Sequence, residues 1–314
     1  MSPTASYAHT DTEVAHPDIG RHLTGKLLVA THGGSGGRAA LRIAEALAAR
    51  DGLPIEALTV VEPTRARPFD YIPDLHVFEA AEMDAARTQI KALMIADTPR
   101  DERLPDLSVL LGNPADCIAQ AATETHARLI LLGLGHRRLV DRLLGGAIPI
   151  QVLRQVQIPM LAAAVESAPF PGVVVVATDF STSAIAAARL AMCLAAPNAR
   201  VFLVHVQPEL AASHAGTPVE SWLRIVQQGT TTMFEHMHRA LGPTDELTIE
   251  DVTLHDGHAG VARTLRRFAR DVGAEMIAIG THGPLTTRRS LLGSVAEAML
   301  RTANCAVLVS SEDR

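Results

Sequence analysis

The chain repeats itself at a spacing of 147 residues, and this repeat constrains its fold more than any other feature. His32 and Asp179 end two matching segments and stand at equivalent positions of the repeat. The matching segments are 26–32 with 173–179, 129–133 with 276–280, and 143–146 with 291–293. Because several matches share one period, they indicate a tandem duplication rather than chance similarity.

The duplication predicts two domains, which also suits a chain of 314 residues when one domain takes about 150. A Pro-rich joint, Ala168-Pro-Phe-Pro-Gly172, separates the two halves. The predicted organisation is a flexible tail at 1–25, a first domain at 26–165, a linker at 166–172 and a second domain at 173–314.

Short apolar runs alternate with helical patterns in each half, which is typical of a parallel α/β sheet. The pattern predicts two tandem doubly wound, Rossmann-like domains, each with a five-stranded parallel sheet and four helices. Such sheets bind ligands at the carboxyl ends of the strands, where the strand order reverses. The predicted strands are 27–31, 54–61, 106–110, 129–133 and 158–164, then 173–178, 199–206, 247–254, 275–280 and 305–310. The predicted helices include 76–96 in the first half, and 182–195, 218–241, 259–272 and 294–303 in the second.

Composition excludes two classes of partner. The net charge of −6 and the presence of lysine only at positions 26 and 91 are a poor match for a phosphate backbone, so we expect no nucleic-acid binding. No stretch approaches the ~20 apolar residues that a bilayer crossing needs, and the polar residues 1–23 predict no signal peptide. Three distant cysteines support neither a disulfide scaffold nor a zinc site, which favours the reducing cytoplasm.

The second half carries a spaced glycine motif after its fourth predicted strand. Two residues separate Gly280 from Gly283, and after nine more residues Gly293-Ser294 opens a predicted helix. Glycines let main chain approach a ligand closely, and the free N–H groups of a helix N-terminus favour phosphate. The alternative is an ordinary strand–loop–helix turn that uses glycines for tight packing, and the spacing alone does not decide between the two.

The same half contains phrases that resemble the universal stress protein family. These are residues 175–181, 203–206, 279–283, 291–297 and 305–309. The resemblance extends over 26–165 and 172–311, so the chain is similar to a tandem member of the family. The Gly-x2-Gly-x9-Gly-Ser spacing resembles the ATP-binding branch of that family.

The resemblance implies an ATP site in the second half, with Mg²⁺ compensating the phosphate charge. Asp179 would meet the ribose, Val206 would offer main-chain groups to adenine, and the glycines with Ser294 would hold the phosphates. For Asp179 the alternative is that it caps the following helix. The implied binding residues are Ala177, Thr178, Asp179, Val206, Ile279, Gly280, Thr281, His282, Gly283, Gly293, Ser294 and Val295.

The first half departs from this motif at three positions. His32 replaces Asp179, His136 replaces Gly283, and Ala147 replaces Ser294. Only the glycines at 133 and 146 survive. We therefore expect a degenerate nucleotide site in the first half.

One motif of the first half suggests an enzyme instead. Gly33-Gly-Ser35-Gly-Gly37 has the Gly-x-Ser-x-Gly form of a nucleophile elbow, for which Asp116 and His136 could be nominated as partners. The duplicated position reads Phe-Ser-Thr-Ser-Ala, which favours drift within a glycine-rich turn. No His, Asp or Glu spacing indicates a metal site.

These observations predict a cytoplasmic, ATP-binding stress-response protein that signals through nucleotide occupancy. No catalytic residue is nominated, because the chain has no Walker lysine and no identifiable base for water. The alternatives are a slow ATPase or nucleotide-dependent transferase, and a scaffold that uses no nucleotide. The family resemblance also implies that the last strands of the two halves associate as an internal pseudo-dimer, with a homodimer as a further expectation.

Overall fold

The computed structural model describes residues 22–63, 75–97, 104–134, 148–207, 219–244, 246–281 and 292–311. These residues contain ten strands and eight helices. The predicted N-terminal tail lies outside the described residues as far as position 21.

The first half alternates strands and helices along the chain. Its elements are β1 (Lys26–Ala30), α1 (Ser35–Asp51), β2 (Ile55–Val61), α2 (Leu75–Asp97), β3 (Asp106–Leu111), α3 (Pro114–Glu124), β4 (Ala127–Gly133), α4 (Ile148–Leu153) and β5 (Met160–Ala163). Local signals set several of these ends. Asn113 caps α3 by accepting from the N–H of Ala115, Pro114 occupies the first helical position, and Gly52 ends α1 with φ of 69°.

The second half repeats this order. Its elements are β6 (Val173–Ala177), α5 (Thr182–Leu194), β7 (Arg200–Gln207), α6 (Val219–Leu241), β8 (Thr248–His255), α7 (Val261–Asp271), β9 (Met276–Gly280), α8 (Ser294–Thr302) and β10 (Ala306–Ser310). Ser181 caps α5, because its side chain accepts a hydrogen bond from the N–H of Ala184. Each predicted helix of this half begins and ends within two residues of the structure.

All ten strands form one sheet in the order β3-β2-β1-β4-β5-β10-β9-β6-β7-β8. Each half contributes five parallel strands, so the predicted doubly wound α/β class is confirmed. The halves meet where β5 and β10 pair antiparallel, with Ala162 opposite Val307. This pairing is the association of last strands that the internal pseudo-dimer implied. Because each last strand already pairs with the other, a second copy of the chain would have to use another surface.

The core has two layers, one on each face of the sheet. Alternate residues of a strand face opposite sides, so Leu27 and Val29 join one hydrophobic cluster while Leu28 and Ala30 join the other. Helices α1, α2, α5 and α6 cover the first face, and α3, α4, α7 and α8 cover the second. Both clusters contain residues of both halves, so the two repeats share a continuous core.

Candidate functional site

The candidate site of the second half lies at the carboxyl ends of β6 and β9. These strands are neighbours at the centre of their half, but the helices that follow them cover opposite faces of the sheet. This topology is the one that creates a crevice between two strand ends, which is where open α/β sheets bind ligands. Ala177 and Ile279 stand opposite each other in register at this point.

The turn from β6 to α5 places a carboxylate and two hydroxyl groups at the edge of the crevice. Thr178 is buried, and its Oγ1 accepts from the N–H of Phe180 at 2.9 Å. Asp179 is exposed, and its Oδ1 accepts from the N–H of Ser181 at 3.0 Å and from the Ser181 hydroxyl. Ser181 in turn accepts from the N–H of Ala184. The helix cap is thus Ser181, while Asp179 holds this cap with one carboxylate oxygen.

The second carboxylate oxygen of Asp179 has no hydrogen-bond partner among the described residues. A carboxylate with one oxygen fixed and the other directed to solvent can still accept a hydrogen bond from a ligand hydroxyl. Its role in holding the turn and a role in binding ribose are therefore compatible.

The side chain of Phe180 packs this turn against two other rings, a contact that the sequence did not predict. Phe180 has a positive φ of 63°, and its ring lies 4.7 Å from the His205 ring and 5.0 Å from the Phe234 ring. The Nδ1 of His205 also lies 2.9 Å from the carbonyl oxygen of Thr178. A signal for this geometry was present, since the repeat aligns Phe180 with Gly33, whose φ is 81°. A glycine in one copy marks a backbone position that favours positive φ.

Val206 presents main-chain groups toward the crevice. The pairing of β6 with β7 ends at Ala177 and Val204, and the N–H of Thr178 donates to the Val204 carbonyl at 2.9 Å. Alternate residues of a strand direct their main-chain groups to the same neighbour. The N–H and C=O of Val206 therefore point to the side of β7 that faces β6. Because β6 ends at Ala177, no strand among the described residues pairs with these groups on that side.

Gly280 has a packing role that does not require a ligand. A Cβ at this position would lie 2.5 Å from the Ser183 hydroxyl and 2.9 Å from the main-chain nitrogen of Ala184. The strand β9 thus passes directly against the first turn of α5. The tight-packing interpretation of the motif holds for this glycine, and its contact with a ligand stays a prediction.

Gly293 closes the loop that separates β9 from α8. Its N–H donates to the Thr281 carbonyl at 2.7 Å, while the N–H of Thr281 donates to Ser310 at 2.9 Å. Gly293 is also the N-cap of α8, so no side chain caps this helix. Ser294 is exposed at its first position, and Val295 is half-buried. His282, Gly283, Arg288 and Arg289 lie outside the described residues.

The first turn of α8 also carries an acid, Glu297, between two arginines. Hydrogen bonding and charge from Arg301, and to a smaller degree from Arg154, lower the pKa of Glu297 below its usual range, although partial burial acts in the opposite direction. The start of α8 therefore combines the positive end of a helix dipole with a negative side chain whose charge two guanidinium groups offset.

The corresponding turn of the first half has different side chains on the same backbone. His32 is exposed, and a Cβ at Gly34 would lie 2.7 Å from its Nε2, so the imidazole covers the turn. Ser35 is the first residue of α1, while the positive φ belongs to Gly33. In a nucleophile elbow the serine itself occupies the strained turn, so this geometry does not support Ser35 as a nucleophile. His136, Gly146 and Ala147 lie outside the described residues.

Other reactive groups give little support for catalysis. Burial raises the pKa of the Cys305 thiol to about 11, and burial with the nearby Asp116 charge raises the pKa of Cys117. Both thiols are therefore poor nucleophiles at neutral pH. Within the described ranges, no group of three His, Cys, Asp or Glu side chains is placed to hold a metal ion. None of the described helices is both long and apolar enough to cross a bilayer.

Comparison with known proteins decides the family. The profile of the universal stress protein family matches residues 24–163 and again residues 172–311. The chain belongs to the universal stress protein family. The two matches also show its tandem arrangement. A universal stress protein of Methanocaldococcus jannaschii is 31% identical over 140 residues, which cover 43% of this chain and 79% of that relative.

Other similarities to universal stress proteins are shorter or more distant. Two Staphylococcus epidermidis proteins that carry the family name are 50% identical over 44 residues, which span 14% of this chain and only 26% of their own length. The crystal structure of a universal stress protein from Archaeoglobus fulgidus matches with a TM-score of 0.60 at 17% identity, and the match covers 91% of this chain and 96% of that one. This structural similarity supports the fold alone.

Proposed function

We propose that the second half of this universal stress protein binds ATP, with Mg²⁺ as its counter-ion, and that occupancy of the site signals in the stress response. The proposed setting is the cytoplasm. The ribose would lie against Asp179 and the adenine against the main chain of Val206. The phosphates would lie at the start of α8, where Ser294 and Val295 present main-chain N–H groups and Gly293 leaves room for close approach.

One observation carries the proposal. The N-terminus of α8 opens directly beside the crevice between β6 and β9, because the bond from Gly293 N–H to the Thr281 carbonyl closes the intervening loop at 2.7 Å. A crevice at the point where strand order reverses, next to an uncapped helix N-terminus, is a recurring arrangement for nucleotide phosphates. Of the other predicted residues that the structure describes, Ala177, Ile279 and Gly280 end β6 and β9, and Thr178 and Thr281 follow directly after these strands.

We infer binding rather than turnover, and two carboxylates near the site support this. One carboxylate oxygen of Asp179 holds the cap of α5 through Ser181, the proposal assigns its other oxygen to the ribose, and Glu297 is paired with arginines, so neither carboxylate is assigned to an attacking water. Rapid phosphoryl transfer needs a group that positions the nucleophile. We therefore expect nucleotide occupancy to be the functional signal, with ATP hydrolysis far slower than the ~1 per second of ordinary enzymes.

The decisive experiment places a negative charge at the proposed phosphate position. In Ser294→Asp, an acidic residue at the first position of α8 stabilises the helix by about 0.3–1 kcal/mol but repels phosphate. We expect the variant to fold normally and to lose at least about tenfold in ATP affinity by isothermal titration calorimetry.

The matched control is Ser35→Asp, which adds the same charge at the first position of α1 in the other half. This control should leave ATP affinity unchanged. If the wild-type protein bound none of ATP, ADP, AMP or cyclic AMP, the scaffold alternative would replace the nucleotide proposal. Steady multiple turnover of ATP would favour the ATPase instead.

A further inference from the structure

Three side chains form an ion-pair network across the boundary between the two halves. Arg154, directly after α4 of the first half, donates to Oε2 of Glu297 at 3.0 Å. Arg301 of α8 donates to Oε1 of the same carboxylate at 2.9 Å. Arg154 and Arg301 stand 147 residues apart, so they are the same position of the repeat. One carboxylate therefore binds the equivalent arginine of both halves.

The network is asymmetric because the first half has no matching acid. The repeat aligns Glu297 with Ile150, which is fully buried in the core. Arg154 thus has no acid one turn away in its own helix and pairs across the boundary instead. The sheet permits this, because β5 and β10 run in opposite directions and bring the end of α4 beside the beginning of α8.

Glu297 lies close enough to the N-terminus of α8 for its charge to repel an anion bound there. It is in the first turn of α8, and its negative charge opposes any phosphate that approaches the same helix end. Two guanidinium groups on the carboxylate offset this repulsion, and the first half supplies one of them. The effect should grow with the charge of the ligand, since each added phosphate is repelled by the same carboxylate.

On the basis of the nucleotide site proposed above, we infer that Arg154 is a positioning residue of that site: by pairing with Glu297 it makes the start of α8 favourable for a polyphosphate. The first half, with its own motif degenerate, thereby completes the electrostatics of the second. Arg154 acts through Glu297 and makes no contact with the nucleotide itself.

The test is a double-mutant cycle on the full chain, read by calorimetry with ATP and AMP at about 50 mM salt to limit screening. In Arg154→Gln we expect the dissociation constant for ATP to rise about fivefold, the upper range for an exposed pair, and that for AMP to change less than about twofold. In a Glu297→Gln background, Arg154→Gln should have no further effect, because the charge through which it acts is gone.

The control variant is Arg200→Gln, which removes an equally exposed arginine that pairs with Glu250 at the opposite, amino end of β7. It should leave both ligands unaffected. Unchanged ATP affinity in Arg154→Gln would overturn the inference, and so would an equal loss in both backgrounds, which would show direct contact with phosphate. Failure of the wild-type protein to bind ATP would refute the proposed function and this coupling together.

Discussion

The first β–α turn of each half shows how the two copies have diverged. Both turns keep a residue with positive φ, Gly33 in the first and Phe180 in the second. The first turn is otherwise built from glycines and covered by His32, whereas the second carries a carboxylate, two serines and an aromatic cluster. The backbone has therefore been retained while the polar groups at the crevice have changed. A shared fold in the two halves does not imply a shared ligand.

The largest expected effect concerns how closely the fourth strand of each half approaches the first helix. A Cβ at Gly133 would overlap the main chain of Gly36 and Gly37, whereas a Cβ at Gly280 first meets the Ser183 hydroxyl. We expect Gly133→Ala to lower the free energy of unfolding by about 3–4 kcal/mol and Gly280→Ala by about 1–3 kcal/mol. Urea unfolding followed by circular dichroism measures both.

A second variant sharpens this comparison. Ser183→Gly reproduces the first-half residue Gly36, so adding it to Gly280→Ala should recover part of the lost stability. If the two alanine variants lost the same free energy of unfolding and Ser183→Gly restored none of it, the strand–helix packing at Gly133 and at Gly280 would be equivalent.

A smaller effect concerns the side-chain carboxylates that accept hydrogen bonds from the main chain at the start of each half. Asp51 has this role in the first half. Burial alone would raise the pKa of Asp51, but hydrogen bonds from Arg50, His22 and the N–H of Leu23 outweigh it and lower the pKa from 3.8 to about 2. Because the folded-state pKa is depressed, this stabilisation is present above pH 4 and is lost as the pH falls toward 2. Asp51→Asn should cost about 2 kcal/mol at pH 7, and the difference from wild type should narrow between pH 4 and pH 2.

The second half provides the comparison for this carboxylate. Glu275 accepts from the N–H of Gly172 at 2.6 Å in an exposed position. Glu275→Gln should therefore cost less than about 1 kcal/mol, since an exposed hydrogen bond contributes little. A pH-independent difference for Asp51→Asn in urea unfolding would contradict the role assigned to its charge.

A modest effect is expected at Gly33 itself. Alanine there would adopt an unfavourable φ of 81° and would bring its Cβ to 3.0 Å from Leu93, a flexible side chain that can shift. The expected cost is about 1–2 kcal/mol in thermal or urea unfolding. An unchanged free energy of unfolding would mean that the backbone of the first turn relaxes around the alanine. The positive φ that the two turns share would then not be needed for stability.

Much of the fold was predictable because it depends on patterns that are local or repeated. The period of 147 residues and the apolar runs predicted two five-stranded parallel sheets, and the helical pattern predicted that α5 begins at position 182. The joining of β5 to β10 did not follow from the residues, since many apolar strands could pair, and it came only from the family resemblance.

The candidate site was less predictable, because its contacts join residues that are distant in sequence. The Arg154–Glu297 pair spans 143 positions, and no local pattern signals it. The glycine at 280 was visible, but whether it faces a helix or a ligand depends on how closely β9 and α5 pack. The sequence therefore predicted where to look, and the structure added which groups lie there.

The reversal of strand direction between β5 and β10 determines which surfaces of the protein carry the two crevices. Since the strands of the two halves point opposite ways, the crevices open on opposite rims of a single sheet. A partner docked on one rim would contact one crevice and not the other. Duplication in this orientation leaves one copy free to change its chemistry without obstructing recognition of its twin.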